Sequence, residues 1–411
     1  MMNKRSAVLA AAGVWLAAAA QAAPIEVLFV GNSYTFGRVD PVMSYNAAAV
    51  HDLTAAMWAA SPSGSNAFEP HPWGGVPGIF KQFTVQAGLD YDVSLSTRNA
   101  ASLRGHLLNT NAAGWDLRGN IASQRWDKVV LQEQSDDSLP RQPGLASNPE
   151  YFRGYANLIE NFVHNGNASS FRDRDFFSGS TNAAQTAQCQ TLTGASATSC
   201  NTLRSAPANP NANAAAQVYL YETWARPNLI NAPFTTVTDQ VTGAISFTTT
   251  PATSFYPSLE AMTTDLHAAY FGLDASNPDY AGVAPVGDAF LRAVASGLAT
   301  RDFYAANART DGLIDLWFDD GTHASKYGSY LSALTLFGTL TGLDPAQFGA
   351  GEIAARDLGI ATADALTLQR VASLELGFAA TAIPEPSTLA LVLSGVGLAG
   401  WSTRRVSRRR A

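Results

Sequence analysis

Cysteine is nearly absent from this chain, with two in 411 residues. That excludes a disulfide-built scaffold and a four-thiolate zinc site. Charge is scarce as well: 14% of residues are Asp, Glu, Lys or Arg, against about 25% in an average soluble domain. The polar surface must then come from Asn, Gln, Ser and Thr, which suits an exported protein better than a cytosolic one. Basic residues are outnumbered 26 to 33, for a formal charge of −7. That balance argues against nucleic acid as a partner, since phosphate binding needs clustered Lys and Arg. No His-Glu-x-x-His, P-loop or dinucleotide glycine fingerprint occurs. What the chain does have is 46% hydrophobic and 10% aromatic residues, enough for a sizeable core. Its length fits two or three domains, or one α/β domain with long insertions.

Both ends read as addresses. Lys4 and Arg5 precede an apolar stretch from Ala7 to Ala20, and Ala20-Gln21-Ala22 supplies the small residues a signal peptidase needs. Residues 1–22 are therefore expected to be a signal peptide; an uncleaved anchor is the alternative. At the other end Ile383-Pro384-Glu385-Pro386-Ser387 precedes an apolar run from Thr388 to Trp401, then Arg404, Arg405, Arg408, Arg409 and Arg410. The run is short for a membrane span, which needs about 20 residues. Pro-Glu-Pro, short apolar helix and basic tail in that order resemble the PEP-CTERM sorting signal of Gram-negative bacteria. The resemblance, over residues 383–411, implies export and transient inner-membrane association through the tail helix. It further implies recognition by an exosortase-type enzyme, removal of the tail, and delivery to the cell surface or its matrix. A simple tail anchor is the alternative. Loss of both ends would leave 19 basic and 32 acidic residues, a charge of about −13, which disfavours long-range attraction of anionic polymers.

Between the ends, short apolar runs at Pro24 to Val30, Tyr91 to Ser96, Lys128 to Gln132, Gln217 to Tyr221 and Tyr280 to Pro285 read as buried strands. Helical patterns are expected at Ala47 to Ala59, Tyr151 to Val163, Ser258 to Ala269 and Ser325 to Leu340. The alternation predicts a parallel sheet with helices on both faces and a site outside the carboxyl ends of its strands. Residues 169–216 lack either period over most of their length and read as an insertion. Within them Cys189 and Cys200 are expected to pair, stiffening the loop. Thr235 to Thr253 has the flavour of a hairpin. Residues 346–382 read as a helical segment that packs on the domain or forms a stalk.

Chemistry is sought just after the strands. Gly31-Asn32-Ser33-Tyr34-Thr35 follows the first, where Ser33 is either a nucleophile or an N-cap. Asp319-Asp320-Gly321-Thr322-His323 puts a carboxylate within reach of one imidazole nitrogen, an orienting acid for a base or only a loop pair. Early Ser and late Asp-x-x-His together resemble the SGNH (GDSL-like) hydrolase superfamily, from about Ile25 to Gly342. Gly328-Ser329-Tyr330-Leu331-Ser332-Ala333 follows the histidine as in that family. The resemblance implies a flavodoxin-like three-layer α/β/α sandwich over residues 23–345. It also implies Ser33 as nucleophile, His323 as general base and then acid, Asp320 holding the imidazole, and an acyl-serine intermediate without cofactor.

The chain departs from the family at Asn32, where Asp is usual, and in its oxyanion positions. Ser33 with a backbone N–H from Ala101 or Ser102, and the amide of Gln132 or Gln134 (Gln132 lying nearer the strand end), are expected to fill the oxyanion hole. His106, Gln134, Glu222 and Trp224 are expected near substrate, although the residues themselves favour a surface helix place for His106 and core packing for Trp224. Asp136 and Asp137 read as a solvated pair, and His71-Pro72-Trp73-Gly74-Gly75 as a loop that covers the site. The expected activity is that of an exported esterase acting on O-acyl substrates, O-acetyl carbohydrate among them. An O-acyltransferase and a non-catalytic polysaccharide-binding protein are the alternatives.

Overall fold

The structure is a computed structural model and describes residues 23–38, 40–60, 71–110, 115–230, 235–238, 245–248 and 254–378. The expected signal peptide and sorting helix lie outside the described residues. Among the described residues no helix is long and apolar enough to cross a membrane.

All five apolar runs form strands: β1 (Ile25–Gly31), β3 (Tyr91–Thr97), β4 (Lys128–Leu131), β5 (Gln217–Tyr221) and β6 (Tyr280–Ala284). A short β2 (His51–Asp52) joins the edge. The order is β6-β5-β4-β1-β3-β2, and every pairing is parallel. Val27, Leu28, Phe29 and Val30 of central β1 are fully buried. Both faces of that strand are covered, which is why its sequence is continuously apolar rather than alternating. From β1 the chain crosses to β3 on one side and then to β4 on the other. This reversal opens a crevice at the carboxyl ends of the strands.

One helical layer contains α2 (Gly75–Gln86) and α7 (Lys326–Thr341), with α6 (Val286–Ala295) and α8 (Thr362–Glu375) packed on α7. Phe29 meets Phe80 of α2 edge-on at 5.4 Å, and Phe80 reaches Phe337 of α7 at 6.4 Å. A second layer contains α3 (Leu103–Leu108), α4 (Pro149–His164) and α5 (Leu259–Ser276), where Phe152 and Tyr270 lie 4.8 Å apart. The sheet and its two helical layers make the expected three-layer α/β/α sandwich. Residues beyond 345 continue into α8 and lie against α7, so up to residue 378 the chain packs rather than extends as a stalk.

Two stretches differ from expectation. Residues 47–59 are not one helix: a 3-10 turn (Ala47–Ala49) leads into β2, and a helix begins only at Ala55. Pairing of His51 with Ser94 and of Asp52 with Leu95 overrides the helical propensity of the alanines. Asp52 then stops the strand by accepting from Thr54 N–H at 2.9 Å. The stretch from 169 to 216 is ordered, with an antiparallel pair (Ser169–Phe171 and Arg204–Ala206) enclosing helices Asn182–Thr193 and Ala197–Asn201. Its longer helix buries only Cys189, so it carries no apolar period to be read. Cys189 and Cys200 are disulfide-bonded, Cα to Cα 6.1 Å. Fully buried Asp173 ties the stretch to the core, accepting two bonds from Arg204 (2.7 and 2.9 Å), one from Arg104 (3.1 Å) and one from Tyr155 (2.5 Å). The Thr-rich stretch forms an antiparallel pair, Thr235–Thr238 with Ile245–Thr248.

Candidate active site

Gly31 ends β1 where no side chain fits: a Cβ there would lie 2.3 Å from Thr35 Oγ1 and 2.5 Å from Gln132 Oε1. The next residue, Asn32, caps the short helix α1 (Ser33–Phe36), its Oδ1 accepting from Tyr34 N–H at 3.1 Å. Asn32 also donates through Nδ2 to Ala101 O at 2.9 Å and through its backbone N–H to Gln132 Oε1 at 2.9 Å. With capping done by Asn32, the Ser33 hydroxyl is free of that role. It lies 2.9 Å from His323 Nε2.

The histidine arrives on a turn built around Asp320. One carboxylate oxygen accepts from the backbone N–H groups of Thr322 and His323, both at 2.9 Å; the other lies 2.5 Å from His323 Nδ1. Gly321 takes φ +63°, the left-handed backbone this tight return requires. Ser325 then caps α7, accepting from Tyr327 N–H at 3.1 Å. Burial pushes the Asp320 carboxyl up, but its bonds from His323 and Thr322 outweigh burial and hold it below the ordinary carboxylate range. An ionised Asp320 can only accept, so the imidazole carries its proton on Nδ1 and presents the Nε2 lone pair to Ser33.

Aromatic rings support this turn from behind. Tyr34 stands edge-on to His323 at 5.7 Å and stacks on Trp224 at 4.1 Å, and Trp224 stacks on Phe290 at 4.9 Å. Trp224 Nε1 donates to Thr322 O at 3.0 Å. The structure thus brings Ser33, Asp320 and His323 together at the carboxyl edge of the sheet.

Other expected contacts fail for identifiable reasons. Trp224 does not face substrate; it is 1% exposed and braces the histidine turn. Glu222 is fully buried, accepting from Asp288 N–H at 3.1 Å. His106 is neither on the surface nor in the crevice. Fully buried, it donates from Nε2 to Gly31 O at 2.9 Å, and burial pushes its pKa down to about 4.

Gln132 does not offer its amide to an oxyanion, because Nε2 is spent on Glu133 O while Oε1 accepts from Asn32 and Thr35. Ala101 is also unsuitable, its N–H being bonded to Arg98 O at 3.1 Å. Half-buried Gln134 accepts at Oε1 from Asp136 N–H at 2.9 Å. Asp136 and Asp137 are not a solvated pair. Asp136 is ion-paired with Arg226, and burial pushes the Asp137 carboxyl up to about 7.

Glu133 is a buried neighbour of these loops that sequence reasoning missed. Buried two residues past the end of β4, it accepts from Leu103 N–H at 3.0 Å and Gln134 N–H at 2.6 Å, joining the two loops beside Ser33. Burial first, and then the charge of Asp137, raises its carboxyl well above the usual range. The available signal was an acid set two residues past a buried apolar strand.

Residues 382–409 match the PEP-CTERM protein-sorting motif. The C-terminus carries a sorting signal. That motif points to export with surface association and implies exosortase-mediated processing. No curated protein matches the chain.

Among solved structures, the chain is similar to one described as a candidate SGNH hydrolase from Slackia heliotrinireducens: 17% identity, 77% of this chain, 99% of that chain, TM-score 0.35. It is also similar to a DUF4886 family protein from Bacteroides uniformis, with 13% identity over 86% of this chain and 94% of that one, TM-score 0.39. A third, described as a candidate GDSL-like lipase from Parabacteroides merdae, has 12% identity over 78% and 96%, TM-score 0.38.

Proposed function

We propose that this chain is an exported serine hydrolase that cleaves O-acyl esters through an acyl-serine intermediate. One observation carries the reading: an unbroken hydrogen-bonded path from Ser33 Oγ to His323 Nε2 (2.9 Å) and from His323 Nδ1 to Asp320 (2.5 Å). Ser33 Oγ attacks the acyl carbon while its proton passes to Nε2. The imidazolium is stabilised by Asp320 and returns that proton to the departing alkoxide, leaving acyl-Ser33 and free alcohol. Water then attacks the acyl carbon while its proton passes to His323 Nε2; the bond from that carbon to Ser33 Oγ breaks, Nε2 returns the proton to Oγ, and the carboxylic acid leaves.

Three donors are proposed for the oxyanion: the Ser33 N–H, which has no intrahelical acceptor in the first turn, the Ser102 N–H and the Gln134 amide. The sorting signal supports surface carbohydrate as the alcohol part, with O-acetyl groups as the proposed acyl part.

The test is hydrolysis of an aryl acetate by the purified chain beside Ser33→Ala. Turnover should fall about 10⁴-fold or more in the variant, and a fluorophosphonate should label only the unaltered chain. Failure of both turnover and labelling would overturn the proposal. A second reading, a surface carbohydrate-binding protein, is favoured by the commitment of Gln132 and Ala101 to structural bonds. It predicts polysaccharide binding with no acyl release.

A further inference from the structure

Behind the aromatic support, a second group of polar side chains converges that the proposed acyl chemistry does not use. Glu222 follows β5 and is fully buried. One of its oxygens accepts from Asp288 N–H at 3.1 Å; the other, Oε1, is buried and has no hydrogen-bond partner. A carboxylate oxygen shut away from water is costly unless a donor or a cation meets it.

Two side chains from other elements stand beside it, His267 on α5 and Asp288 at the start of α6. One ligand atom from each of the three residues lies within 4.8 Å of the others. His267 Nδ1 is 2.7 Å from Asp288 Oδ2, and its ring is stacked on Phe271 at 4.0 Å, which fixes the ring plane. His267 and Asp288 line a surface cavity of about 450 Å³ with Glu375 at its wall. Arg292 is paired with Glu375 at 2.5 Å, so three carboxylates face one arginine and one histidine here.

We propose that Glu222, His267 and Asp288 form a site for one divalent ion of the zinc type. The donor set selects the ion: imidazole with two carboxylates suits zinc, whereas calcium and magnesium take oxygen ligands. Three protein ligands leave a fourth position for water from the cavity. The ion would pin together the end of β5 and helices α5 and α6. Glu222 lies two residues before Trp224, whose ring braces the histidine turn, so the site would stiffen that brace without touching the reacting atoms.

The test is zinc binding by the full chain after chelator treatment, read by equilibrium dialysis with metal counting and by thermal unfolding. The wild type should take up one zinc at this site, with a raised unfolding midpoint. His267→Ala should bind that zinc more than about tenfold more weakly and lose the rise. The His267 side chain is 49% exposed, so its removal leaves the core intact. Asp288→Asn is the second variant and should fail in the same way. Cobalt should give d–d absorption in the wild type that is missing in both variants. No stoichiometric uptake by the wild type, or equal uptake by wild type and variants, overturns the proposal. Zinc held instead at Asp320 and His323 would survive both substitutions and so counts against it.

Discussion

Asn32 decides what Ser33 is free to do. Its side chain caps α1 and holds Ala101 O, so the neighbouring hydroxyl is left to the histidine. Asn32→Ala should lower stability by about 1 kcal/mol through the lost cap. It should also lower ester turnover about tenfold while fluorophosphonate labelling persists; thermal melts and steady-state kinetics check both. His106 gives a pH prediction. Its folded pKa is about 4 against 6.5 in the unfolded chain, so its contribution is complete above about pH 6.5 and is lost as pH falls towards 4. That contribution is on the order of 3 kcal/mol. A plot of unfolding free energy against pH should rise across that window and flatten in His106→Gln. At this scale the sequence was only partly legible. Asp320 and His323 sit three residues apart and declare each other locally. Gln132 could not, because its bond to Asn32 spans 100 residues and depends on which loop the fold sets opposite.

Elements read more clearly than side chains, since a strand buried on both faces is apolar throughout and needs no partner to be recognised. β1 shows this in Val27 to Val30. The 47–59 stretch shows the limit, because sheet pairing by His51 and Asp52 beat a run of alanines. Loops between elements carry their own predictions. Glu133 joins the loops after β3 and β4 but is raised by burial and by Asp137. For acids raised in this way, stability is present at low pH and falls as pH climbs through the raised values. Glu133→Gln keeps an acceptor for Leu103 and Gln134 and removes one charge. It should raise the unfolding midpoint at pH 8 and change it little at pH 5. The disulfided stretch is separable in the same sense. Cys189→Ser with Cys200→Ser should cost about 2–4 kcal/mol, seen first as faster proteolysis between residues 176 and 206, while ester turnover stays within about twofold.

On the scale of the whole molecule, the resemblances at the two ends and the alternation between them carried the fold class. The metal-ligating trio was invisible, its members being spread over residues 222, 267 and 288 on three elements. The sorting motif predicts a division of labour. Replacing Pro384, Glu385 and Pro386 by alanine should block tail processing and leave the chain with the membrane fraction, by immunoblot of cell fractions, with ester turnover unaltered. One feature of the site bears on timing. Ser33 and His323 are 290 residues apart in sequence yet in direct contact. A chain threading outward from its amino end delivers its nucleophile early and its base almost last. Under the proposed function, a chain exported amino end first would stay inert towards esters until His323 joins Ser33, and would gain its chemistry only once nearly the whole domain has crossed.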